Sequence, residues 1–129
     1  MNIVNRIDSG LRNEEQVLFL LAENAEKPQG TPSGKMITDS ENVSFVYLLE
    51  EEGGYSHVYF TQDVWPLMVE VLKMDADPVL SWKDGVMALP GFKDELTMLI
   101  YNIEGNDNYG ELFTSAVEQA FSSILQPKE

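Results

Sequence analysis

The two largely apolar runs in residues 42–61, NVSFVYLLEEEGGYSHVYFT, are separated by a polar, glycine-containing stretch and predict a β-hairpin. Two runs rich in β-branched and aromatic residues flank Gly53 and Gly54, and glycine accepts the positive φ that a tight turn requires. A turn at these two glycines places Glu50 opposite His57. Successive side chains then alternate between two largely apolar faces, both of which we expect to be covered. One face carries Phe45, Tyr47, Leu49, Val58 and Phe60, and the other carries Val46, Leu48, Tyr55, His57 and Tyr59.

Shorter apolar runs predict further strands on both sides of this hairpin. Residues 2–8 and 16–22 are expected to be strands, and the run VLFLLA within the second is typical of a strand buried on both faces. Residues 26–34, EKPQGTPSG, are rich in proline, glycine and small polar residues and predict a loop. The stretch DPVLSWKDGVMALP predicts a second, shorter hairpin that turns at Asp84 and Gly85.

Three segments have the apolar spacing of helices. Residues 61–74, TQDVWPLMVEVLKM, are apolar nearly all round, with Asp63 as the expected N-cap and Pro66 in the first turn. Residues 92–105 and 109–125 each place their apolar side chains on one stripe and their polar side chains on the opposite side. These stripes are expected to face the protein core.

The segment between the last two helices, residues 102–113, reads NIEGNDNYGELF and clusters Asn, Asp and Glu around two glycines. A calcium-binding EF-hand needs glycine at the sixth position of its loop and glutamate at the twelfth, and no register here provides both. The residues instead suit a connector between helices. Gly105 is placed to end the first helix in a left-handed conformation, Asn108 is the expected N-cap of the next helix, and Glu111 completes a capping box.

These elements predict an α+β fold in one domain over residues 1–129. We expect an antiparallel sheet of about six or seven strands, built from the two hairpins and the N-terminal strands. Three helices should pack on it, the last two forming a C-terminal helical hairpin.

Net charge narrows the partners that this protein can have. Its 22 acidic and 8 basic residues give a formal charge of −14, and the basic residues form no stripe. A field of this sign repels nucleic acid and anionic membranes. The longest apolar run is far shorter than the roughly 20 residues of a membrane-spanning helix. The start of the chain lacks the layout of a signal peptide, and cysteine is absent, so we expect a soluble, cytoplasmic protein.

Residues suited to catalysis are scarce. His57 is the single histidine, and the chain has no cysteine, which excludes Cys–His chemistry and sites with several histidines. No Gly-x-Ser-x-Gly motif is present to expose a nucleophilic serine, and no glycine-rich phosphate loop occurs. We therefore expect no catalytic residue, no metal site and no cofactor, and the composition favours a protein that is not an enzyme.

Three functional hypotheses follow. The first is a non-enzymatic interaction protein that presents an acidic, aromatic surface to another protein or to a second copy of itself. The apolar side chains of the helix at residues 64–74 and of the outer face of the hairpin exceed what one sheet face can bury, so either the C-terminal helices cover them within the chain or a homodimer covers them. The second is a small-molecule binder or enzyme with a pocket near His57 and Trp65, and the third is an acidic mimic of nucleic acid. The candidate binding residues are Glu50, Tyr55, His57, Tyr59 and Trp65.

Several motifs in the chain also resemble a known family. GKMITDS with FVYLL, the segment VYFTQDVW, and FKDELTMLIYNIEGNDNYGELF are similar to the YjbL-like family of small acidic proteins from Gram-positive bacteria. The resemblance spans roughly residues 34–121 and has its most specific part at residues 105–113. It implies an intracellular bacterial protein of unassigned activity, and it implies no site residue.

Overall fold

The computed structural model of this protein describes residues 5–7, 9–21 and 28–125. Within those ranges the chain forms eight β-strands and four α-helices. The strands are β1 (Asn5–Ile7), β2 (Ser9–Arg12), β3 (Val17–Leu20), β4 (Thr31–Asp39), β5 (Ser44–Glu51), β6 (Gly54–Thr61), β7 (Val79–Trp82) and β8 (Gly85–Ala88). The helices are α1 (Trp65–Met74), α2 (Phe92–Ile103), α3 (Glu111–Ala120) and α4 (Ser122–Leu125). Parts of the predicted N-terminal strands and loop, at residues 2–4, 8, 22 and 26–27, lie outside the described residues.

The strands form two mixed sheets of four strands each. The first sheet has the order β1-β6-β5-β4, and the second has the order β2-β3-β7-β8. In each sheet one N-terminal strand pairs in parallel with a strand far along the chain, β1 with β6 and β3 with β7. The α+β class is confirmed, but the prediction of a single antiparallel sheet is wrong. The prediction missed the two parallel pairings, because they join segments that are far apart in the chain and no local sequence pattern indicates them.

Both predicted hairpins are present, and each turns one residue earlier than predicted. In the first, Glu51 pairs with Gly54, so the turn holds Glu52 and Gly53, with Gly53 at φ 86°. Glu50 therefore lies opposite Tyr55 instead of His57. In the second hairpin Trp82 pairs with Gly85. The register of the first hairpin is shifted by two residues, which keeps every side chain on its predicted face.

Two other strand predictions need correction. Strand β4 begins at Thr31, inside the predicted loop, and accommodates Pro32 and Gly34 through an irregularity in its pairing with β5. Strand β3 is not buried on both faces, because Val17 and Phe19 are buried while Leu18 and Leu20 are partly exposed. A continuous apolar run therefore marks a strand whose second face is only half covered.

A cluster of aromatic side chains joins the two sheets to α2. Phe19 of the second sheet meets Phe60 of the first edge to face, with ring centroids 4.9 Å apart. Phe92, at the start of α2, contacts both rings at 5.1 and 5.8 Å. All three side chains are completely buried in the main hydrophobic cluster. Packing of this kind contributes to stability beyond the area that it buries.

A group of hydrogen bonds lies beside the aromatic cluster. The Tyr47 hydroxyl donates to the Pro90 carbonyl at 2.6 Å and accepts from the Gly34 N–H at 3.1 Å. Gly91 lies so close to Gly34 that a Cβ on Gly91 would come within 3.1 Å of the Gly34 Cα. Glu95 on α2 accepts the N–H of Met36 at 3.2 Å. These contacts fasten β4 of the first sheet to the start of α2.

Helix α1 explains why residues 61–74 are apolar nearly all round. It contacts β2, β3, α2 and α3, so it is covered from several sides within the chain. Trp65, Met68, Val69 and Val71 are buried, and Leu67, Leu72 and Met74 pack against the core. The predicted N-cap at Asp63 is wrong, because a 3₁₀ turn over Gln62–Val64 precedes α1 and Val64 occupies its N-cap position.

The C-terminal helices are close to their predicted positions, with one extra break. The predicted last helix divides at Phe121 into α3 and the short α4. Gly105 has φ 69° and follows α2 in the left-handed conformation, as predicted. The N-cap at Asn108 is wrong, because the N-cap position of α3 is Gly110. The Asn106 side chain instead accepts the N–H of Asn108 at 3.0 Å.

Replacing Phe92 by alanine should destabilise the fold by about 3–5 kcal/mol, because it empties the contact point of both sheets and α2. Urea unfolding followed by circular dichroism measures the change. Met98 on the same helix is 48% exposed. Met98→Ala should therefore change the free energy of unfolding by no more than about 0.5 kcal/mol. Equal effects of the two substitutions would contradict the central role of Phe92.

Replacing Asn106 by alanine should cost about 1 kcal/mol, because the turn loses the side-chain acceptor of the Asn108 N–H. The Asn106 amide also donates to the Asn102 carbonyl at 3.3 Å. Asn108→Ala is the matched control and should have a negligible effect. Thermal unfolding of both variants compares them. A larger loss of stability for Asn108→Ala than for Asn106→Ala would support Asn108 as the N-cap.

Candidate functional site

The site is the surface of the first sheet that points away from the core. Strand registers place alternate residues of its four strands on this surface, which we name the outer face. Its members are Arg6 of β1, Lys35, Ile37 and Asp39 of β4, Ser44, Val46, Leu48 and Glu50 of β5, and Tyr55, His57, Tyr59 and Thr61 of β6.

Four of the five predicted binding residues come together on the outer face. Tyr55, His57 and Tyr59 follow one another along β6, and Glu50 lies directly opposite Tyr55. The rings of His57 and Tyr59 have centroids 6.4 Å apart. We name the three β6 side chains the aromatic strip.

Trp65, the fifth predicted residue, lies elsewhere. Its side chain is buried, and its indole N–H donates to the Phe60 carbonyl at 3.1 Å. The indole ring also contacts Phe45, which faces the core. Trp65 is therefore separated from His57 by the sheet, and neither side chain lines the pocket described below.

The two faces of the first sheet are buried to different extents. On the inner face, rings from the helices contact Phe45, Tyr47 and Phe60. On the outer face Ile37 and Tyr55 are each 44% exposed, and His57 is exposed. Val46 and Leu48 are nevertheless buried, although neither belongs to the main core cluster. The outer face thus has an apolar centre with exposed aromatic and aliphatic side chains beside it.

Asp39 sits at one end of the outer face in a set of hydrogen bonds. Asn42 donates to its two carboxylate oxygens, from its backbone N–H at 3.2 Å and its side-chain amide at 2.8 Å. Partial burial raises the pKa of Asp39, but hydrogen bonds from Asn42 and Tyr59 outweigh it and hold the pKa below its ordinary value of 3.8. Burial and the charge of Asp39 raise the pKa of Tyr59. At neutral pH the pair is therefore an ionised carboxylate and a protonated phenol.

Carboxylates predominate around the aromatic strip. Asp39 and Glu50 belong to the outer face, and the adjoining turns carry Glu41, Glu52 and Asp63. The cations of the same surface are Lys35 and Arg6. The aromatic strip therefore lies in a surface of net negative charge.

A pocket of about 340 Å³ opens at the Tyr59 end of the outer face. Its lining comes from β1, the turn before β5, the ends of β5 and β6, and the 3₁₀ turn at Gln62–Val64. This pocket has no local sequence signal, because the parallel pairing of β1 with β6 brings Arg6 next to Tyr59. Val43 in its wall has φ 49°, a strained conformation for a β-branched residue.

Metal-binding clusters and membrane-spanning helices are both missing from the described part of the chain. Over residues 5–7, 9–21 and 28–125, no group of three or more His, Asp or Glu side chains is arranged to hold a metal ion. None of the helices in those ranges is long and apolar enough to cross a membrane.

Fold and site together define an acidic α+β protein with an aromatic strip on a partly exposed sheet face. The chain belongs to UPF0738, a family of unknown function, whose model matches residues 5–121. A UPF0738 protein from Lysinibacillus sphaericus strain C3-41 is 38% identical over 125 residues, covering 97% of this chain and 98% of the relative. Relatives from Bacillus cereus strain Q1 and Bacillus thuringiensis strain Al Hakam are each 36% identical over 113 residues, covering 86% of this chain and 92% of theirs. No solved structure gives a significant match.

The family match corrects the resemblance drawn from the sequence motifs. The YjbL-like family is the wrong assignment, because the matching family model and its relatives are UPF0738 proteins. The expectation of a bacterial protein of unassigned activity is confirmed, since these relatives come from Bacillus and Lysinibacillus. The motifs therefore pointed to the right kind of organism and the wrong family.

The Asp39 carboxyl should titrate below pH 3.8 in the folded protein. Its pKa is lower when folded than when unfolded, so its contribution to stability is complete above that pH and is lost as the pH falls through the folded pKa. Tyr59→Phe removes a hydrogen bond to the carboxylate and should raise the Asp39 pKa. Carbon-detected NMR titration measures it. Tyr55→Phe, on the same strand, is the control and should leave the Asp39 pKa unchanged.

Proposed function

We propose that this protein is a non-enzymatic interaction module, one domain that docks a basic segment of a partner protein on the outer face. The observation that supports this most strongly is the aromatic strip on β6, in which Tyr55 and His57 are exposed and Tyr59 is partly exposed. Single exposed apolar residues are ordinary on protein surfaces. A row of aromatic side chains beside Val46 and Leu48 is the kind of patch that marks an interface.

The side chains of the strip suit the centre of an interface. Tyrosine is enriched among the residues that contribute most to binding, because it buries a large rigid surface and keeps a polar hydroxyl. The rings of Tyr55 and Tyr59 can also bind a cation through their faces, as arginine and lysine do in proteins. Apolar contact beside the strip would then come from Ile37 of β4, which is 44% exposed on the same face.

Charge determines the type of partner. The chain carries a formal charge of −14, and Glu50, Glu52 and Asp39 lie on or next to the outer face. Such a field increases the encounter rate with a basic partner and decreases it with an acidic one. We place the protein in the cytoplasm, because a chain without cysteine suits a compartment where thiols stay reduced.

The other hypotheses have less support. A pocket between His57 and Trp65 is not favoured, because the sheet separates the two side chains. A mimic of nucleic acid would need regular carboxylates across its surface, whereas the centre of the outer face is aromatic and apolar. A homodimer through residues 64–74 loses its rationale, because α1 is covered within the chain. Dimerisation through the outer face would bring two strongly acidic chains together.

Titration with a synthetic peptide of alternating arginine and leucine tests the proposal, with the same peptide carrying glutamate in place of arginine as its charge-reversed control. Amide shifts in ¹⁵N-labelled protein should change saturably at residues 46–48 and 55–59 with the basic peptide alone. Tyr55→Ser and Tyr59→Ser should each weaken binding about tenfold, the usual scale for an aromatic interface residue. Val86→Ser is the matched control, since Val86 is 62% exposed on the second sheet.

Two outcomes would overturn the proposal. Shifts spread evenly over all carboxylate-bearing segments would show nonspecific attraction to an acidic protein. A mass that rises above 14.5 kDa with concentration in light scattering, and falls again with Tyr59→Ser, would assign the outer face to a second copy of the chain.

A further inference from the structure

We infer that the second sheet carries a surface for self-association, on which two copies of this chain stack face to face in a weak twofold dimer. Strand registers place alternate residues of β2, β3, β7 and β8 on the side of this sheet that points away from the core. We name this side the neutral face, and its members are Ser9, Leu11, Leu18, Leu20, Val79, Ser81, Val86 and Ala88. The inference does not depend on the proposed function, because it uses the other sheet and a different partner.

Most side chains of the neutral face are apolar, and they are incompletely covered. On the opposite side of the same strands, Val17, Phe19 and Leu80 are completely buried. On the neutral face Leu11 of one edge strand is 47% exposed, and Val86 of the other edge strand is 62% exposed. The leucine and valine side chains of the two central strands are partly exposed. A contiguous apolar patch of this kind marks a site of association.

The lack of charge on the neutral face favours a second copy of the chain as its occupant. Charged residues make up 23% of the chain, yet all eight described members of the neutral face are uncharged. A basic partner would find its carboxylates on the first sheet instead, where the outer face carries Asp39 and Glu50. Two identical uncharged faces fit together without taking any charge out of water, which is a large cost in forming an interface.

Charges at two corners of the neutral face indicate how the second copy is oriented. The β2–β3 turn at one corner carries Glu14 and Glu15, both exposed. Because β3 and β7 are parallel, the β7–β8 turn lies at the diagonally opposite corner, where it carries Lys83 beside Asp84. A twofold axis along the other diagonal stacks the two faces and lays the glutamates of each copy over Lys83 of the other. The flexible four-carbon stem of lysine lets its ammonium group reach across such a contact.

The same twofold axis brings the most exposed apolar side chains of the neutral face together. Leu11 and Val86 lie towards the two charged corners, so the axis places Leu11 of one copy over Val86 of the other. The strands of the two copies then cross at close to a right angle. Orthogonal crossing is one of the two favoured ways in which sheets pack.

The small area of the neutral face makes this dimer weak. Its four strands have four residues each. Strands about 4.8 Å apart with a rise of about 3.3 Å per residue span a nearly square patch of roughly 200–300 Å². A stable complex buries about 800 Å² on each partner. Repulsion between two chains of charge −14 outweighs attraction at the corners, so association should strengthen as salt screens that repulsion.

Sedimentation equilibrium of the full chain tests the inference at protein concentrations between about 10 μM and 1 mM, the range of weak affinities. We expect the average mass to rise with concentration from 14.5 kDa towards that of a dimer. The rise should be steeper at about 0.5 M than at about 0.05 M sodium chloride, because the Debye length is shorter. A mass of 14.5 kDa at every concentration, or a mass that passes that of a dimer without a plateau, would overturn the inference.

Substitutions locate the interface. Val86→Glu should raise the dissociation constant about tenfold or more, because the contact must then desolvate an unpaired carboxylate. Met98→Glu is the matched control, since Met98 is 48% exposed on α2, and it should leave the dissociation constant nearly unchanged. Circular dichroism verifies that each variant is folded. A dimer that persists in Val86→Glu and is lost in Tyr55→Glu would assign association to the first sheet and overturn the inference.

Methyl NOEs in a mixture of ¹³C-labelled and unlabelled protein test the orientation of the two copies. Within one copy Leu11 and Val86 lie on the two edge strands, about 14 Å apart over three strand spacings, which is too far for an NOE. We expect NOEs between Leu11 of one copy and Val86 of the other. Intermolecular NOEs that link other residues and not this pair would contradict the proposed dimer.

Discussion

Contact among Phe19, Phe60 and Phe92 is the interaction on which the rest of the structure depends. Each ring comes from a different unit, namely the second sheet, the first sheet and α2. The two four-stranded sheets and α2 bury their apolar sides only where these units pack against one another. The Tyr47 hydroxyl then helps to position α2 on the first sheet, because it hydrogen-bonds Gly34 of β4 and Pro90, two residues before α2.

This arrangement determines which surfaces remain for function. Aromatic side chains from α1, α2 and α3 all pack against the inner face of the first sheet, where they contact Phe45 and Tyr47. The outer face is left with its aromatic strip and its carboxylates. The parallel strand β1 adds Arg6 at one side, which creates a polar pocket next to the strip. One face of the first sheet therefore forms part of the core, and the opposite face carries the candidate site.

The candidate site was only partly predictable. Period-two alternation in the hairpin places Tyr55, His57 and Tyr59 on one face whatever the exact turn, because a register shift of two residues changes the pairing and not the face. Trp65 follows the same strand closely in sequence, yet its direction depends on the 3₁₀ turn that precedes α1. Nothing local indicates that turn, so proximity in sequence was a poor guide to proximity in space.

What the sequence determined by itself is local: the two hairpins, the apolar stripes of the C-terminal helices, the left-handed Gly105 and the acidity that limits possible partners. These features depend on side-chain period, glycine conformation and charge, all of which act between near neighbours. Only the tertiary structure decided how the strands divide into two sheets, why α1 is apolar all round, and where the pocket lies. Each of those depends on pairing between segments far apart in the chain, as between β1 and β6, whose register is set by how the whole core packs.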